Sequence, residues 1–145
     1  VVGAGGAGLV AALSAAHGGA NVVVFDAVDP LTASDAEQSN TARSTGLIPA
    51  AETELQIAAG ITDDSAELLT ADILAANGGE CDENLLRAIC RAAGPTVDWL
   101  AGEIDLECKR DFLYHGHSRF RMHGPPSGYG RSLVRALAQR AASHA

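Results

Sequence analysis

Near the amino terminus, Gly3-Ala4-Gly5-Gly6-Ala7-Gly8 places glycine first, third and sixth in a six-residue turn. In that spacing the first glycine makes the tight turn, the second lets a pyrophosphate reach the main chain, and the third lets helix and strand pack closely. The helix opening near Gly6 adds unpaired N–H groups and the positive end of its dipole, both favourable to phosphate. Asp26 closes the next apolar run, 23 residues past Gly3. That offset suits a carboxylate that accepts from a pair of ribose hydroxyls. A carboxylate there would repel a 2′-phosphate, which disfavours NADP. These residues predict a dinucleotide but do not choose between FAD and NAD. The plainer alternative is a glycine turn followed by a solvated aspartate.

Two further segments carry polar chemistry. "SNTARSTG" (39–46) sets Asn40, Thr41, Ser44 and Thr45 ahead of Gly46. Short hydroxyl and amide side chains with a glycine suit a loop laid against a phosphate or a polar ring edge. The same residue types also cap helices, and the composition does not decide between the two. "YHGHSRFRMH" holds His115, His117, Arg119, Arg121 and His123. No Cys, Asp or Glu accompanies these histidines at regular ligand spacing, so no metal site is expected. The basic side chains there suit a small anion, or simply a solvated surface loop.

The surrounding elements must hold these residues. Val1–Val2 reads as the end of a strand, and "LVAALSAAH" as a helix with Leu9, Ala12, Leu13 and Ala16 on one face. Gly18-Gly19 stops it. "NVVVF" then has the continuous β-branched pattern of a strand buried on both faces of a parallel sheet. Strand, helix and strand make a βαβ unit. Residues 27–49 read as a long loop. Asp64, with Glu67 three residues on, predicts a capped helix ending at Gly78-Gly79. One helix is expected from Asp82 and another from Pro95 in a first-turn position. An irregular stretch with short strands should follow from Asp105 to Pro126, and then a helix with Leu133, Val134, Leu137, Ala138 and Ala141 in phase.

The fold class expected is therefore α/β: a partial Rossmann-like domain with parallel strands and a helical segment. Only two residues precede the glycine turn, and two strands do not make a stable open sheet. The sequence is thus read as truncated at both ends, residues 1–145 being part of one larger domain. Among the 145 residues, 47% are hydrophobic and 4% aromatic, which is enough apolar surface for a core of small side chains. A formal net charge of −8 makes nucleic acid an unfavourable partner. No apolar run is long enough to span a bilayer. The three scattered cysteines read as thiols in a reducing compartment, hence a cytoplasmic expectation. No signal peptide is visible, although a leader could precede a truncated start.

In order along the chain, "VVGAGGAGLVAALSAA…VVVFD", "NTARSTGLIPAA" and "GITDDSAELLTADIL" resemble the flavoprotein subunits of the fumarate reductase/succinate dehydrogenase family. The resemblance implies FAD as cofactor, with Asn40, Thr41, Ser44, Thr45 and Gly46 among its contacts beside Gly3–Gly8 and Asp26. Gln38-Ser39 stands where the family often has Gly-Gly, and Leu47 where a further glycine is common. Asn40 stands where members with covalently bound FAD carry a histidine; an amide cannot form that link, so noncovalent FAD is implied. "MHGPPSGYGRSLVRAL" is similar to a segment whose histidine contacts substrate, which implies that role for His123. Gly124 replaces the arginine of that segment. The family's proton-donating arginine lies in a substrate-capping domain that matches no position here, and Arg119 and Arg121 are not assigned to it.

The implied function is the FAD-binding part of an oxidoreductase. It would transfer hydride between flavin and an unsaturated or saturated acid or carbonyl substrate, and the piece alone is not expected to turn over. The alternatives are an NAD-dependent dehydrogenase or an inactive flavin-binding module. The electron donor or acceptor is not readable.

Overall fold

In the computed structural model, residues 1–31, 39–127 and 129–144 are described. In chain order the elements are α1 (Gly6–His17), α2 (Asn40–Arg43), β1 (Ile48–Pro49), α3 (Glu54–Ala58), α4 (Ala66–Ala76), α5 (Glu83–Ala101), β2 (Glu107–Cys108), β3 (Met122–Gly124) and α6 (Tyr129–Ala142). They fall into two compact units. The first comprises Val1–Leu47, Glu103–Asp105 and Pro125–Ala145; the second comprises Ile48–Gly102 and Leu106–Gly124.

The first unit is built on α1 against α6. Leu9, Ala12 and Leu13 are buried on α1, and Leu133, Val134, Leu137 and Ala138 on α6. These are the phased residues the sequence picked out, except that Ala16 and Ala141 are half-buried. Gly19, at φ +81°, takes the left-handed turn after α1. The parallel sheet is not reproduced as expected. Val2 and Phe25 form one isolated parallel bridge, with Gly3 N–H donating to Phe25 O at 2.7 Å and Phe25 N–H to Val1 O at 2.9 Å. Val23 is 61% exposed and Phe25 67%, so "NVVVF" is not buried on both faces. A β-branched run becomes a buried strand only with neighbours on its edges and layers on its faces. Among the described residues the bridge at Val2 is the pairing this run makes.

The loop expected over 27–49 contains α2. Ser39 caps it, its hydroxyl accepting from Ala42 N–H at 3.0 Å. The helix-cap reading of this polar cluster is therefore realised. Gln38, one of the departures from the family pattern, lies outside the described residues.

The second unit carries a three-stranded antiparallel sheet ordered β1-β3-β2, with His123 of β3 opposite Ile48 on one side and Cys108 on the other. Its apolar core gathers Ala51, Ala66, Leu69 and Cys90, with Ile73 and Leu86 packed against it. Two expectations are corrected here. Ser65, not Asp64, caps α4, accepting from Leu68 N–H at 3.0 Å. Asp64 is drawn instead to Arg121. The helices expected from Asp82 and Pro95 are one, α5, with Pro95 inside it. A proline restricts its predecessor mainly through that residue's Cβ, and Gly94 has none. Burial of Cys90, Gly94, Val97 and Leu100 along this helix opposes the roughly 3 kcal/mol cost of an internal proline.

Gly94 also permits contact: a Cβ there would lie 2.5 Å from the Ala51 carbonyl oxygen. Gly94→Ala is therefore expected to destabilise the fold by about 1–3 kcal/mol, read from the denaturant midpoint at constant slope.

A polar network runs through this unit. Arg121 is fully buried and meets Asp64 through two parallel bonds, Nε to Oδ2 at 2.8 Å and Nη2 to Oδ1 at 2.7 Å. Its Nη1 donates to Asp72, which also accepts from Ser118 N–H at 2.7 Å. Gln56 Nε2 donates to Asp64 Oδ2 and to Phe120 O, both at 2.8 Å. Burial would raise the Asp72 pKa, but the bonds from Arg121 and Ser118 outweigh it and hold the carboxyl at about 2. A carboxyl depressed in the folded state stabilises above its unfolded value and loses that contribution as acid is added. Stability is therefore expected to fall between pH 3.8 and about 2. Urea midpoints across that window check this; a flat profile excludes the pairing.

Candidate functional site

The glycine turn is set by the bridge beneath it. Gly3 takes φ +100°, and Gly8 lies so close behind it that a Cβ on Gly8 would be 1.8 Å from the Gly3 carbonyl oxygen. Gly3 and Gly8 are thus required by the turn itself. Gly5 differs. It precedes α1 at φ −76°, and the nearest heavy atom to a Cβ there is Ser39 Cβ at 3.9 Å. The space in front of Gly5 is open, a cradle that a side chain would fill and a phosphate could enter. The first N–H groups of a helix have no acceptor within it. In α1 that leaves Ala7 and Gly8 as donors toward the same end.

Asp26 turns back onto the turn. Its Oδ2 accepts from Ala4 N–H at 2.5 Å and its Oδ1 from Val28 N–H at 2.9 Å. These bonds, Ala4 first and then Val28, hold the carboxyl below its usual range. Asp26 is therefore ionised well below neutrality and retains lone pairs for a further donor. Beside it a cleft of about 420 Å³ is lined by Ala4, Leu9, Val28, Leu31 and Ala138 among others, within the size range of small-molecule sites.

The 39–46 segment joins the turn through Thr41, whose hydroxyl accepts from Gly6 N–H at 3.2 Å. Ser44 Oγ donates to Thr41 O at 2.7 Å and accepts from Gly46 N–H at 3.0 Å, closing the segment on itself. Asn40, Ser44 and Thr45 are exposed and Gly46 is buried. Of the residues singled out in the sequence, the fold thus brings together Ala4 with Asp26, Gly6 with Thr41, and Ser44 with Thr41 and Gly46.

His123 lies in the second unit and is fully buried. Its Nδ1 is 3.3 Å from Ile48 O and its Nε2 2.8 Å from Thr53 Oγ1. A carbonyl only accepts, so Nδ1 carries a proton; in the neutral ring Nε2 accepts from the Thr53 hydroxyl. Burial lowers the pKa of His123 and favours that neutral form, although the bond to Ile48 opposes it. Both ring nitrogens are engaged. In the basic segment and just before it, Arg121 serves Asp64 and Asp72, Arg119 pairs with Asp63 at 2.9 Å, and Arg110 donates to Ala59 O at 2.6 Å.

One cluster had no sequence signal, because its members lie far apart in the chain. His17, Glu103 and His144 bring ligand-capable atoms within 4.8 Å of one another in the first unit. Arg140 Nε donates to Glu103 Oε2 at 2.8 Å, and His17 Nε2 is 3.3 Å from Oε1. The Arg140 bond, with the two histidines, keeps the Glu103 carboxyl below its usual range despite burial. An ion-pair network accounts for this cluster.

The sequence model of the FAD binding domain family matches residues 1–144. The chain is 32% identical over 143 residues to a urocanate reductase of Eggerthella lenta, covering 97% of this chain and 22% of that protein. It is 33% identical over 144 residues to an L-aspartate oxidase of Agrobacterium fabrum, covering 94% of this chain and 25% of that one. To a fumarate reductase (cytochrome) of Shewanella frigidimarina it is 32% identical over 130 residues, covering 90% of this chain and 21% of that one. The chain thus spans about a fifth to a quarter of the length of these relatives. No helix among the described residues is long and apolar enough to cross a membrane. With turn, acid and polar segment in the first unit, and a family match along nearly the whole chain, the protein belongs to the FAD binding domain family, among the fumarate reductase-like flavoproteins, with FAD as its cofactor.

Proposed function

We propose that residues 1–145 are part of a larger flavoenzyme, a noncovalent FAD oxidoreductase acting on an unsaturated or saturated acid, or on a carbonyl compound. The observation that carries this is the Gly6–Thr41 hydrogen bond, which draws the glycine turn and the 39–46 segment together in one unit. An NAD dehydrogenase would need the turn and Asp26 but would give the second segment no task. In this reading Gly5, Ala7 and Gly8 receive the pyrophosphate, Asp26 accepts from ribose hydroxyls, and Asn40, Ser44, Thr45 and Gly46 line the approach to the flavin. Bound FAD would supply two-electron transfer, and the chain's residues hold and orient it.

Three of the four named site residues in 39–45 that could meet a ligand from outside, Asn40, Ser44 and Thr45, are exposed. With Asn40 in place of a linking histidine, denaturation should release all the flavin as free FAD. A substrate role for His123 requires Thr53 to release Nε2. A substrate-capping domain elsewhere in the intact protein and a reducing, cytoplasmic setting complete the proposal.

The test uses the full-length protein. It should purify yellow, and acid or heat should release its flavin quantitatively into the supernatant. Protein that is colourless, takes up no added FAD and binds NADH would refute the reading. Asp26→Ala should weaken FAD binding roughly tenfold, the scale of one charge-assisted hydrogen bond. Titration of apoprotein by flavin fluorescence quenching measures it.

A further inference from the structure

We infer that Gly130, at the start of α6, is a positioning residue for the FAD site. The inference rests on the flavin reading above. Gly130 is buried, and its N–H donates to Ser44 O at 3.2 Å. A Cβ on it would lie 1.9 Å from Thr41 O and 2.9 Å from both the carbonyl and hydroxyl oxygens of Ser44. From the other side, Gly46 is at φ +69°, and a Cβ on it would lie 2.6 Å from Gly130 N. Two glycines therefore let the backbone of α6 and that of the 39–46 segment touch with no side chain between them.

The contact reaches the glycine turn in one step. The Thr41 residue whose carbonyl abuts Gly130 also holds Gly6 N–H through its hydroxyl. A side chain at 130 cannot be accommodated by a rotamer change, because its nearest neighbour is main-chain oxygen. The 39–46 backbone must move, and Thr41 must move with it. Tyr129, a non-glycine residue at φ +58°, shows that the helix start is held against local strain. Gly130 is assigned no flavin contact of its own; it acts by fixing where Thr41, Ser44 and Gly46 lie.

The experiment compares full-length wild type with Gly130→Ala and Gly130→Val. Gly19→Ala is the control: a left-handed glycine with nothing within 4 Å, strained but outside the site. FAD dissociation constants are measured by titrating apoprotein well below its unfolding temperature, alongside the visible circular dichroism of bound flavin and apoprotein thermal unfolding. Gly130→Ala is expected to raise the FAD dissociation constant roughly tenfold or more and to change the flavin dichroism. Gly130→Val should do so more severely. The control should lose thermal stability while keeping wild-type affinity and dichroism.

Equal affinity and dichroism in wild type and Gly130→Ala overturn the role of Gly130 alone. So does a variant whose apoprotein is less stable but whose flavin is bound and oriented as in wild type. A wild type that binds no FAD overturns the flavin reading itself.

Discussion

Full-length protein carrying Gly5→Val is expected to purify without flavin, its FAD affinity reduced by roughly a hundredfold or more. The argument turns on what the substitution does not disturb. Gly5 has negative φ, so a side chain there is not strained, and the nearest protein atom to its Cβ is 3.9 Å away. Valine before α1 forgoes a favourable helix-start residue, a cost of about 1 kcal/mol or less. The apoprotein should therefore fold and unfold nearly as wild type. The isopropyl group instead fills the space in front of the first-turn N–H groups, where the pyrophosphate must approach. Gly8→Val gives the contrast. Its Cβ would strike the Gly3 carbonyl, so it should damage the turn and lower stability as well as binding. Flavin content, apoprotein titration and thermal unfolding of the two variants separate exclusion of ligand from loss of fold. Gly5→Val protein that stays fully yellow would falsify the phosphate assignment.

Arg121→Met should be the most damaging single change to the fold, costing about 3–5 kcal/mol by denaturant unfolding. Arg121 and the Asp64 side chain are essentially without solvent contact, and Asp72 is nearly buried. Removing the guanidinium leaves two carboxylates close together with no countercharge, which is the expensive way to break a buried ion pair. The same physics predicts partial rescue. In acid the orphaned carboxylates take up protons, so the gap between variant and wild type should narrow as pH falls. Replacing the cation together with both carboxylates by apolar residues of similar volume should recover much of the lost stability. A gap that stays constant with pH would mean that lost packing, and not unpaired charge, dominates.

The legible parts of this molecule are those decided within a few residues. The phased leucines and alanines of α1 and α6 announced their buried faces because helical periodicity is local. The glycine turn was readable because Gly3 and Gly8 answer a backbone demand within the same six residues. The limits followed the same logic. Pro95 read as a helix start because a proline forbids a local hydrogen bond, but its tolerance depends on Gly94 and on what α5 buries. Asp64 read as a cap because of Glu67, yet a guanidinium 57 residues away holds it instead. Arg121 and His123 looked like solvent-facing chemistry in a basic loop. Strand pairing put both inside, with Asp64, Asp72, Thr53 and Ile48 as partners that no spacing rule connects to them.

The sequence by itself determined the glycine turn, the aspartate after the following apolar run, the buried faces of α1 and α6 and, through resemblance, the flavin family. Each of these rests on short-range backbone requirements or on an ordered series of such segments. Only the tertiary structure decided which polar residues stay available to a ligand. Buried polar groups must be satisfied by whatever the fold brings within about 3 Å, and that set is fixed by packing rather than by order along the chain. So His123 and Arg121 became internal partners. Thr41 became the link between turn and loop. And Gly130, one glycine at a helix start, acquired its place beside the site because Thr41 and Ser44 leave no room there for a side chain.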